Sequence, residues 1–149
     1  MKKLTDQILF DVIKPRPNDS FKGTYGKVTL VGGNRNFGGA IIMASTAAVC
    51  SGAGLVTTAT DPSNSGALHS QLPEAMFADF NNADQLASLV EPATTVVIGP
   101  GLGDDQTSLA ILKNVFEHTN EKQNVVIDGS AITLMAREDL AQPKGNIIY

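Results

Sequence analysis

Cysteine and aromatic residues are scarce in this sequence. Its 149 residues include one cysteine, Cys50, and no tryptophan, and aromatic residues make up 5% of the chain. A single cysteine cannot form an intrachain disulfide, which excludes a disulfide-stapled fold and favours a reducing cytoplasm. Because its neighbours Val49 and Ser51 resemble core residues, we expect Cys50 to pack in the interior. With 42% hydrophobic residues, the composition is typical of a folded α/β protein.

An excess of positive charge and long apolar runs are also missing. The formal net charge is -4, whereas nucleic-acid-binding proteins usually cluster Lys and Arg on one face, so nucleic acid is excluded as a partner. Met1–Asp6 starts with basic residues but no apolar run follows, so we expect no export signal. Residues 36–60 carry no charge, but their glycines and hydroxyl residues exclude a membrane span. This stretch instead predicts a buried helix followed by a buried strand.

The sequence does contain a regular alternation of strand and helix patterns. Segments rich in β-branched residues predict strands at 27–31, 55–59, 94–98, 124–127 and 145–149. Apolar spacing predicts helices at 40–51, 84–90, 105–118 and 131–137, while 72–77 is ambiguous. Strands separated by helices form right-handed crossovers, and no linker divides the chain. The pattern therefore predicts one α/β unit, a three-layer α/β/α sandwich with a mostly parallel central sheet.

Three loops that follow predicted strands could hold chemistry, since ligands of parallel sheets bind at the carboxyl ends of strands. The first, residues 32–39, contains four glycines and leads into an apolar helix whose free N–H groups suit an anionic or amide-bearing ligand. The second, residues 99–103, has glycines that allow a close approach of ligand to backbone. The third begins with Asp128, whose carboxylate could orient a hydroxyl or a metal.

The first loop also has a structural interpretation. Gly33 and Gly38 have the spacing of a P-loop, but Gly39 and Ala40 occupy the positions of its Lys and Ser or Thr. This difference removes the phosphate-binding charge and the magnesium-binding hydroxyl, so a Walker ATPase is excluded. A tight turn that permits close helix packing remains an alternative to a ligand site.

Structural interpretations remain open for the other two loops. The second fails as a dinucleotide fingerprint because Asp104 occupies the position of the third glycine, and a simple turn explains it equally well. For Asp128, the residues alone favour capping of a helix ahead of Ala131. Asp61 has the same ambiguity, and the following Pro62 strengthens the capping interpretation.

Seven short motifs occur in order along most of the chain. They are Pro15-Arg16-Pro17, Lys22-Gly23-Thr24-Tyr25-Gly26-Lys27, Gly32-Gly33-Asn34 with Gly38-Gly39-Ala40, Ser51-Gly52-Ala53-Gly54-Leu55-Val56, Pro73-Glu74-Ala75-Met76, Gly99-Pro100-Gly101-Leu102-Gly103 and Val126-Ile127-Asp128. Each is weak alone, but together they resemble the NAD(P)H-hydrate dehydratase family, whose fold is ribokinase-like. Phe21 departs from the histidine common in that family, and Gly129-Ser130 departs from a second acid common after the aspartate.

The resemblance implies a metabolite-repair lyase. ADP or ATP, assisted by Mg²⁺, would phosphorylate the hydroxyl of hydrated NADH or NADPH (NADHX or NADPHX), and elimination would restore the reduced cofactor. By the same resemblance, Ala40 and Gly103 line the hydrated-cofactor site, the backbone of Gly39 and Gly101 shapes it, and Asp128 lies near the same crevice. The family is commonly oligomeric, often tetrameric, so we expect a cytoplasmic homo-oligomer.

The resemblance also implies that the family's nucleotide loop and its Gly-Asp motif, whose aspartate acts as the base, lie beyond Tyr149. No catalytic residue is therefore assigned within the sequence. Residues 145–149 end the chain within an apolar strand pattern, which natural domains seldom do. We expect residues 1–149 to be the amino-terminal part of a single ribokinase-like domain, inactive alone.

Two alternatives stay open. One is a ribokinase-like kinase that acts on a sugar or a vitamin precursor, since the same scaffold supports phosphoryl transfer to small molecules. The other is a non-catalytic nucleotide-binding or interaction module, because the residues that can be recognised position a substrate but supply no base. Without the family resemblance, the residues alone do not decide between the lyase, the kinase and the non-catalytic module.

Overall fold

The computed structural model describes Lys3 and residues 5–149; Met1, Lys2 and Leu4, on which the export-signal expectation partly rests, lie outside the described residues. The helices are α1 (Gln7–Val12), α2 (Gly38–Cys50), α3 (Ser65–Gln71), α4 (Ala83–Val90), α5 (Gln106–Glu117) and α6 (Ser130–Arg137). The strands are β1 (Lys27–Val31), β2 (Leu55–Thr60), β3 (Met76–Asp79), β4 (Thr95–Ile98), β5 (Asn124–Ile127) and β6 (Asn146–Ile148). All nine predicted elements are confirmed, with ends that differ by at most two residues, and the ambiguous segment leads into β3.

Within the described residues, the strands form one sheet in the order β3-β2-β1-β4-β5-β6. Every neighbouring pair is parallel. The chain begins at the centre with β1, winds outward to β3, and then returns to place β4 on the other side of β1. The winding direction therefore reverses between β1 and β4. In open parallel sheets, such a topological switch point is where ligands bind.

Helices cover both faces of the sheet. On one face α2 and α3 pack over β1 and β2 through a cluster that includes Leu30, Ile41 and Leu68. On the other face α4, α5 and α6 pack around a larger cluster that includes Val96 and Leu112. Each fully buried aliphatic side chain contributes about 1.5–3 kcal/mol, so these clusters fix the helices on the sheet. The predicted three-layer α/β/α sandwich is confirmed.

A pair of hydroxyl groups joins α2 to β2. The Ser45 hydroxyl donates to the carbonyl oxygen of Ile41 at 2.8 Å, and its oxygen lies 2.7 Å from the hydroxyl oxygen of Thr58. Both side chains are fully buried, so their polar atoms need these partners. Small residues at this contact let α2 approach the sheet closely, which sets the position of its first turn.

Two expectations about α2 are wrong. An apolar composition on every side predicts a helix enclosed by protein, with Cys50 in the core, but Met43 is 67% exposed and Cys50 is also exposed. Met43, Ala47 and Cys50 follow one another at helical spacing and face outward, whereas Ile41 and Ser45 face the sheet. Composition shows which residues could be buried, but not which side of a helix has a neighbour.

The end of the last predicted strand also needs a correction. The strand pattern runs through Tyr149, but β6 ends at Ile148. Its pairing with β5 ends where Ile148 lies opposite Val126, and Tyr149 is 62% exposed. An apolar run shows that a strand is favoured, whereas the length of the strand depends on how far its neighbour pairs with it.

None of the helices in the described ranges has the length and apolarity needed to cross a bilayer. The uncharged stretch 36–60 is divided between α2 and β2, with Gly52 at the turn between them. The predicted helix followed by a strand is therefore confirmed.

Candidate functional site

The first two predicted loops meet at the topological switch point. The loop after β1 leads to α2 on one face of the sheet, and the loop after β4 leads to α5 on the other face. The N–H of Gly33 donates to the carbonyl oxygen of Pro100 at 2.8 Å, and the N–H of Asn34 donates to that of Gly101 at 2.7 Å. Because the two helices diverge above these hydrogen bonds, the loops line a crevice along the carboxyl edge of the sheet.

Gly101 and Gly103 are held against the first loop by contacts that leave no room for a side chain. Gly101 has a φ of +65°, and a Cβ there would lie 2.2 Å from the carbonyl oxygen of Phe37. Gly103 has a φ of +91°, and a Cβ there would lie 2.6 Å from the side-chain amide nitrogen of Asn34. Both conformations strain other residues. The packing of the protein itself therefore explains these two glycines, and they present only backbone to the crevice.

Gly39 differs from its neighbours because packing does not require it. A Cβ at Gly39 would meet no atom within 4 Å, whereas one at Gly38 would lie 2.1 Å from the side-chain oxygen of Asn64. Gly32 and Gly33 also have close contacts with their surroundings. The structural interpretation of the first loop thus holds for three of its four glycines, and Gly39 alone among them faces open space.

The start of α2 presents free hydrogen-bond donors. Phe37 is the N-cap residue and provides no side-chain cap, and the N–H groups of Gly38, Gly39 and Ala40 have no acceptor among the described residues. Free N–H groups at a helix start, together with the positive end of the helix dipole, attract anions and carbonyl oxygens. This part of the crevice can therefore bind a phosphate, carboxylate or amide group.

Two asparagines hold the first loop in shape. The side-chain oxygen of Asn34 accepts from the N–H groups of Asn36 at 2.9 Å and Phe37 at 3.0 Å. The side-chain amide nitrogen of Asn64, which is buried, donates to the carbonyl oxygen of Gly33 at 2.7 Å. Sequence reasoning missed Asn64, since its partner lies 31 residues earlier and no local pattern indicates that contact.

Asp128 is brought to the same edge by the packing of the third loop against the second. A Cβ at Gly99 would lie 1.7 Å from the carbonyl oxygen of Asp128. The expected capping role is wrong, because Gly129 occupies the N-cap of α6 and that helix has no side-chain cap. The carboxylate is exposed and has no hydrogen-bond partner in the described part of the chain. It is free to interact with a ligand.

Next to these loops the crevice widens over the carboxyl end of β2 into a pocket of about 330 Å³, called here the β2-end cavity. It is lined by Asn34, Arg35, Asn36, Asp61, Phe80, Asn81, Leu102, Asp105, Thr107, Ser108 and Ile111. The walls therefore combine polar side chains with apolar groups. This combination suits a ligand that carries both a ring system and hydroxyl or phosphate groups.

The two aspartates of this cavity also cap helical turns. Asp61 accepts from the N–H of Ser63 at 2.9 Å, and Asp105 accepts from the N–H of Ser108 at 2.8 Å. The Ser63 hydroxyl and then its N–H lower the pKa of Asp61, with a smaller contribution in the same direction from Arg35. The N–H and then the hydroxyl of Ser108 lower the pKa of Asp105. Both carboxylates are therefore charged at neutral pH.

Tyr149, beyond which the catalytic base is expected, takes no part in this cavity. It follows β6, the outermost strand on its side of the sheet, whereas the crevice opens between β1 and β4. Its hydroxyl oxygen accepts from the side-chain amide of Gln142 at 2.8 Å, and its ring does not line the β2-end cavity. Tyr149 is therefore only the residue beyond which the catalytic base is expected, and it is not itself a candidate for that base.

Several of the recognised motifs lie at the opposite edge of the sheet. Arg16 stacks over the ring of Tyr25, 4.1 Å from its centroid, and donates to the carbonyl oxygen of Gly52 at 3.2 Å. The N–H of Gly54 donates to the carbonyl oxygen of Tyr25 at 3.1 Å. These segments join the entry arm to the amino ends of β1 and β2, so they do not contribute to the crevice.

Comparison with known sequences identifies the family of this chain. A profile of the NAD(P)H-hydrate dehydratase family matches residues 28–149. An ADP-dependent (S)-NAD(P)H-hydrate dehydratase from Lactiplantibacillus plantarum is 51% identical over 148 residues, which are 99% of this chain and 53% of that protein. The relative from Lactococcus lactis is 50% identical over 96% of this chain and 51% of its own length. The chain thus spans about half the length of the curated relatives it matches.

Solved structures give the same result. A ribokinase-like superfamily protein from Enterococcus faecalis superposes with a TM-score of 0.92 at 46% identity, over 97% of this chain and 51% of that one. The ADP/ATP-dependent NAD(P)H-hydrate dehydratase from Bacillus subtilis, crystallised with ATP/Mg²⁺, superposes with a TM-score of 0.76 at 25% identity, over 96% of this chain and 50% of its own. The fold is ribokinase-like, and the chain belongs to the NAD(P)H-hydrate dehydratase family.

Proposed function

We propose that the protein acts in nucleotide-dependent dehydration of NADHX and NADPHX, the reaction for which its relatives are named. Residues 1–149 would form the amino-terminal, substrate-binding part of a single ribokinase-like domain. The observation that carries this proposal is the convergence of three loops on one crevice, with hydrogen-bond donors at the start of α2 and an unpaired carboxylate at Asp128 among the described residues.

In this proposal, Ala40 and Gly103 line the site of the hydrated nicotinamide. The free N–H groups at the start of α2, including that of Gly39, would bind a carbonyl or phosphate oxygen of the substrate. Gly101 would hold the second loop against the first, and Asp128 would orient the hydroxyl of the hydrated ring. These groups bind and orient the substrate, and none of them is assigned the proton transfer of the elimination. The base for that step is proposed to lie beyond Tyr149.

ADP or ATP is the proposed phosphoryl donor, and Mg²⁺ the proposed metal. The described residues contain no group of three or more His, Cys, Asp or Glu side chains arranged to hold a metal ion. The first loop also lacks the lysine and the hydroxyl of a P-loop. The described residues thus offer no metal cluster and no P-loop, and the groups that hold the phosphoryl donor and the metal are proposed to lie beyond Tyr149. We further propose a cytoplasmic homo-oligomer, with a tetramer as the first assembly to test by light scattering.

The test is restoration of the reduced-nicotinamide absorbance from NADHX with ADP or ATP. A chain extended to the full domain length of its relatives is expected to restore it, whereas the 149-residue chain alone is expected to show no dehydration. Robust phosphorylation of a simple alcohol without restored absorbance would replace the dehydratase by a small-molecule kinase. Dehydration by the 149-residue chain would contradict the assignment of these residues to substrate binding alone.

A further inference from the structure

An acidic and a cationic side chain, Asp61 and Arg35, both line the β2-end cavity. Asp61 follows β2 directly, and Arg35 belongs to the loop after β1. Arg35 influences the charge of Asp61, but within the described residues the two form no ion pair. Asp61 uses its Oδ1 atom to accept from Ser63, which leaves Oδ2 without a partner in the part of the chain described. Both groups are therefore available to a ligand.

The strand order indicates which ligand groups Asp61 and Arg35 could bind. In parallel sheets with the order 3-2-1-4-5-6, dinucleotides place a phosphate group at the start of the helix after β1. An acid at the end of the following strand accepts the ribose 2′-hydroxyl, and an arginine nearby accommodates a 2′-phosphate. This chain has the same order, free N–H groups at the start of α2, Asp61 after β2, and Arg35 beside it. The first loop lacks the dinucleotide glycine fingerprint, but the acid and the arginine do not depend on it.

Resting on the proposed function, we propose that the β2-end cavity binds the adenosine ribose of the hydrated dinucleotide. Asp61 accepts a hydrogen bond from the 2′-hydroxyl of NADHX, and Arg35 pairs with the 2′-phosphate of NADPHX. The apolar residues Phe80, Leu102 and Ile111 of the same cavity offer contact area for the adenosine. A site that contains both side chains accepts both hydrated cofactors. Asp61 favours the uncharged 2′-hydroxyl of NADHX, whereas Arg35 favours the negatively charged 2′-phosphate of NADPHX.

The probes are ADP-ribose and 2′-phospho-ADP-ribose, which contain the adenosine half but no nicotinamide. Calorimetry compares wild type, Asp61→Asn and Arg35→Gln, both in this chain and in the chain extended to the full domain. Arg35→Gln should weaken binding of the phosphorylated probe about tenfold and leave ADP-ribose nearly unchanged, because a charge-assisted contact is lost. Asp61→Asn retains the helix cap, weakens ADP-ribose roughly threefold, and strengthens binding of the phosphorylated probe.

Two matched variants control for general effects. Asp84→Asn alters an exposed aspartate in the first turn of α4 that does not line the cavity. Lys113→Gln removes an exposed positive charge of α5. Neither should change the preference between the two probes.

Opposite responses of the two probes would support the proposal, since a purely structural defect weakens both alike. Equal weakening of both probes, or no measurable binding of either, would overturn it. ADP contains the same adenosine ribose and is a competing occupant: if ADP binds more tightly than both probes and Arg35→Gln has no effect on the phosphorylated probe, the cavity belongs to the phosphoryl donor and the proposal is wrong. Failed dehydration with intact probe discrimination would reject the proposed function only, whereas dehydration without discrimination would reject the cavity assignment only.

Discussion

Gly39 allows a test in which stability and function change in opposite directions. It is the second residue of α2, and a Cβ there would meet no atom within 4 Å. Gly39→Leu reduces the freedom of the unfolded chain and should stabilise the fold by about 0.5 kcal/mol, less than a mid-helix glycine replacement because the first turn is only partly ordered by the helix. For a chain of this length, that gain raises Tm by roughly 2 °C.

The same leucine would fill the open space at the start of α2. In the full-length domain, we expect KM for NADHX to rise at least about tenfold, which corresponds to a loss of roughly 1.4 kcal/mol of substrate binding. Unfolding is followed by circular dichroism, and turnover by the absorbance of the restored cofactor. A more stable protein with weaker substrate binding would show that the space at Gly39 belongs to the substrate.

Gly66→Leu is the matched control. Gly66 is the second residue of α3, and a Cβ there also meets no atom within 4 Å, but Gly66 does not line the crevice. It should gain similar stability without a change in KM. If Gly39→Leu retains the wild-type KM, or if both variants raise KM equally, the start of α2 does not bind the substrate.

Two further predictions concern stability. Gln123 is 2% exposed; its side-chain amide donates to the carbonyl oxygen of Ala93 at 2.9 Å, and its side-chain oxygen accepts from the N–H of Asn120 at 2.8 Å. Gln123→Leu leaves both of these backbone groups without that partner and should cost about 3 kcal/mol in urea unfolding, and a loss below about 1 kcal/mol would contradict this. Asp105→Ala removes a helix cap and should cost about 1 kcal/mol at neutral pH. Because contacts with Ser108 lower the folded pKa of Asp105, this difference should shrink as pH falls through that folded pKa, and a pH-independent difference would argue against it.

Local signals in the sequence determined the elements and several of their ends. The β-branched runs of β1 and β5 and the apolar spacing of α5 identify strands and helices without reference to other parts of the chain. Asp61 and Asp105 were recognisable as helix starts, since a cap bonds to an N–H only two or three residues away. Gly52, just after α2, has the left-handed conformation that commonly ends a helix, with a φ of +92°.

Tertiary structure decided which of these elements meet. Residues 72–77 were ambiguous because pairing with β2, rather than local propensity, makes Met76–Asp79 a strand. The exposure of Cys50 depends on which face of an apolar helix has a neighbour, and the free carboxylate of Asp128 depends on Gly129 taking the cap position. Such outcomes depend on contacts between residues far apart in sequence, which no short pattern records.

The crevice shows the same division. Its glycine-rich loops and the residues Ala40, Gly103 and Asp128 could be selected from the sequence and its family resemblance. Only the strand order places β1 between β2 and β4, so that Gly101 packs against Phe37 on one side and Asp61 shares a cavity with Arg35 on the other. The sequence by itself determined the loops and every strand and helix with a clear local pattern, because such signals are local; the sheet order decided β3 and the candidate site, because it alone brings those segments together.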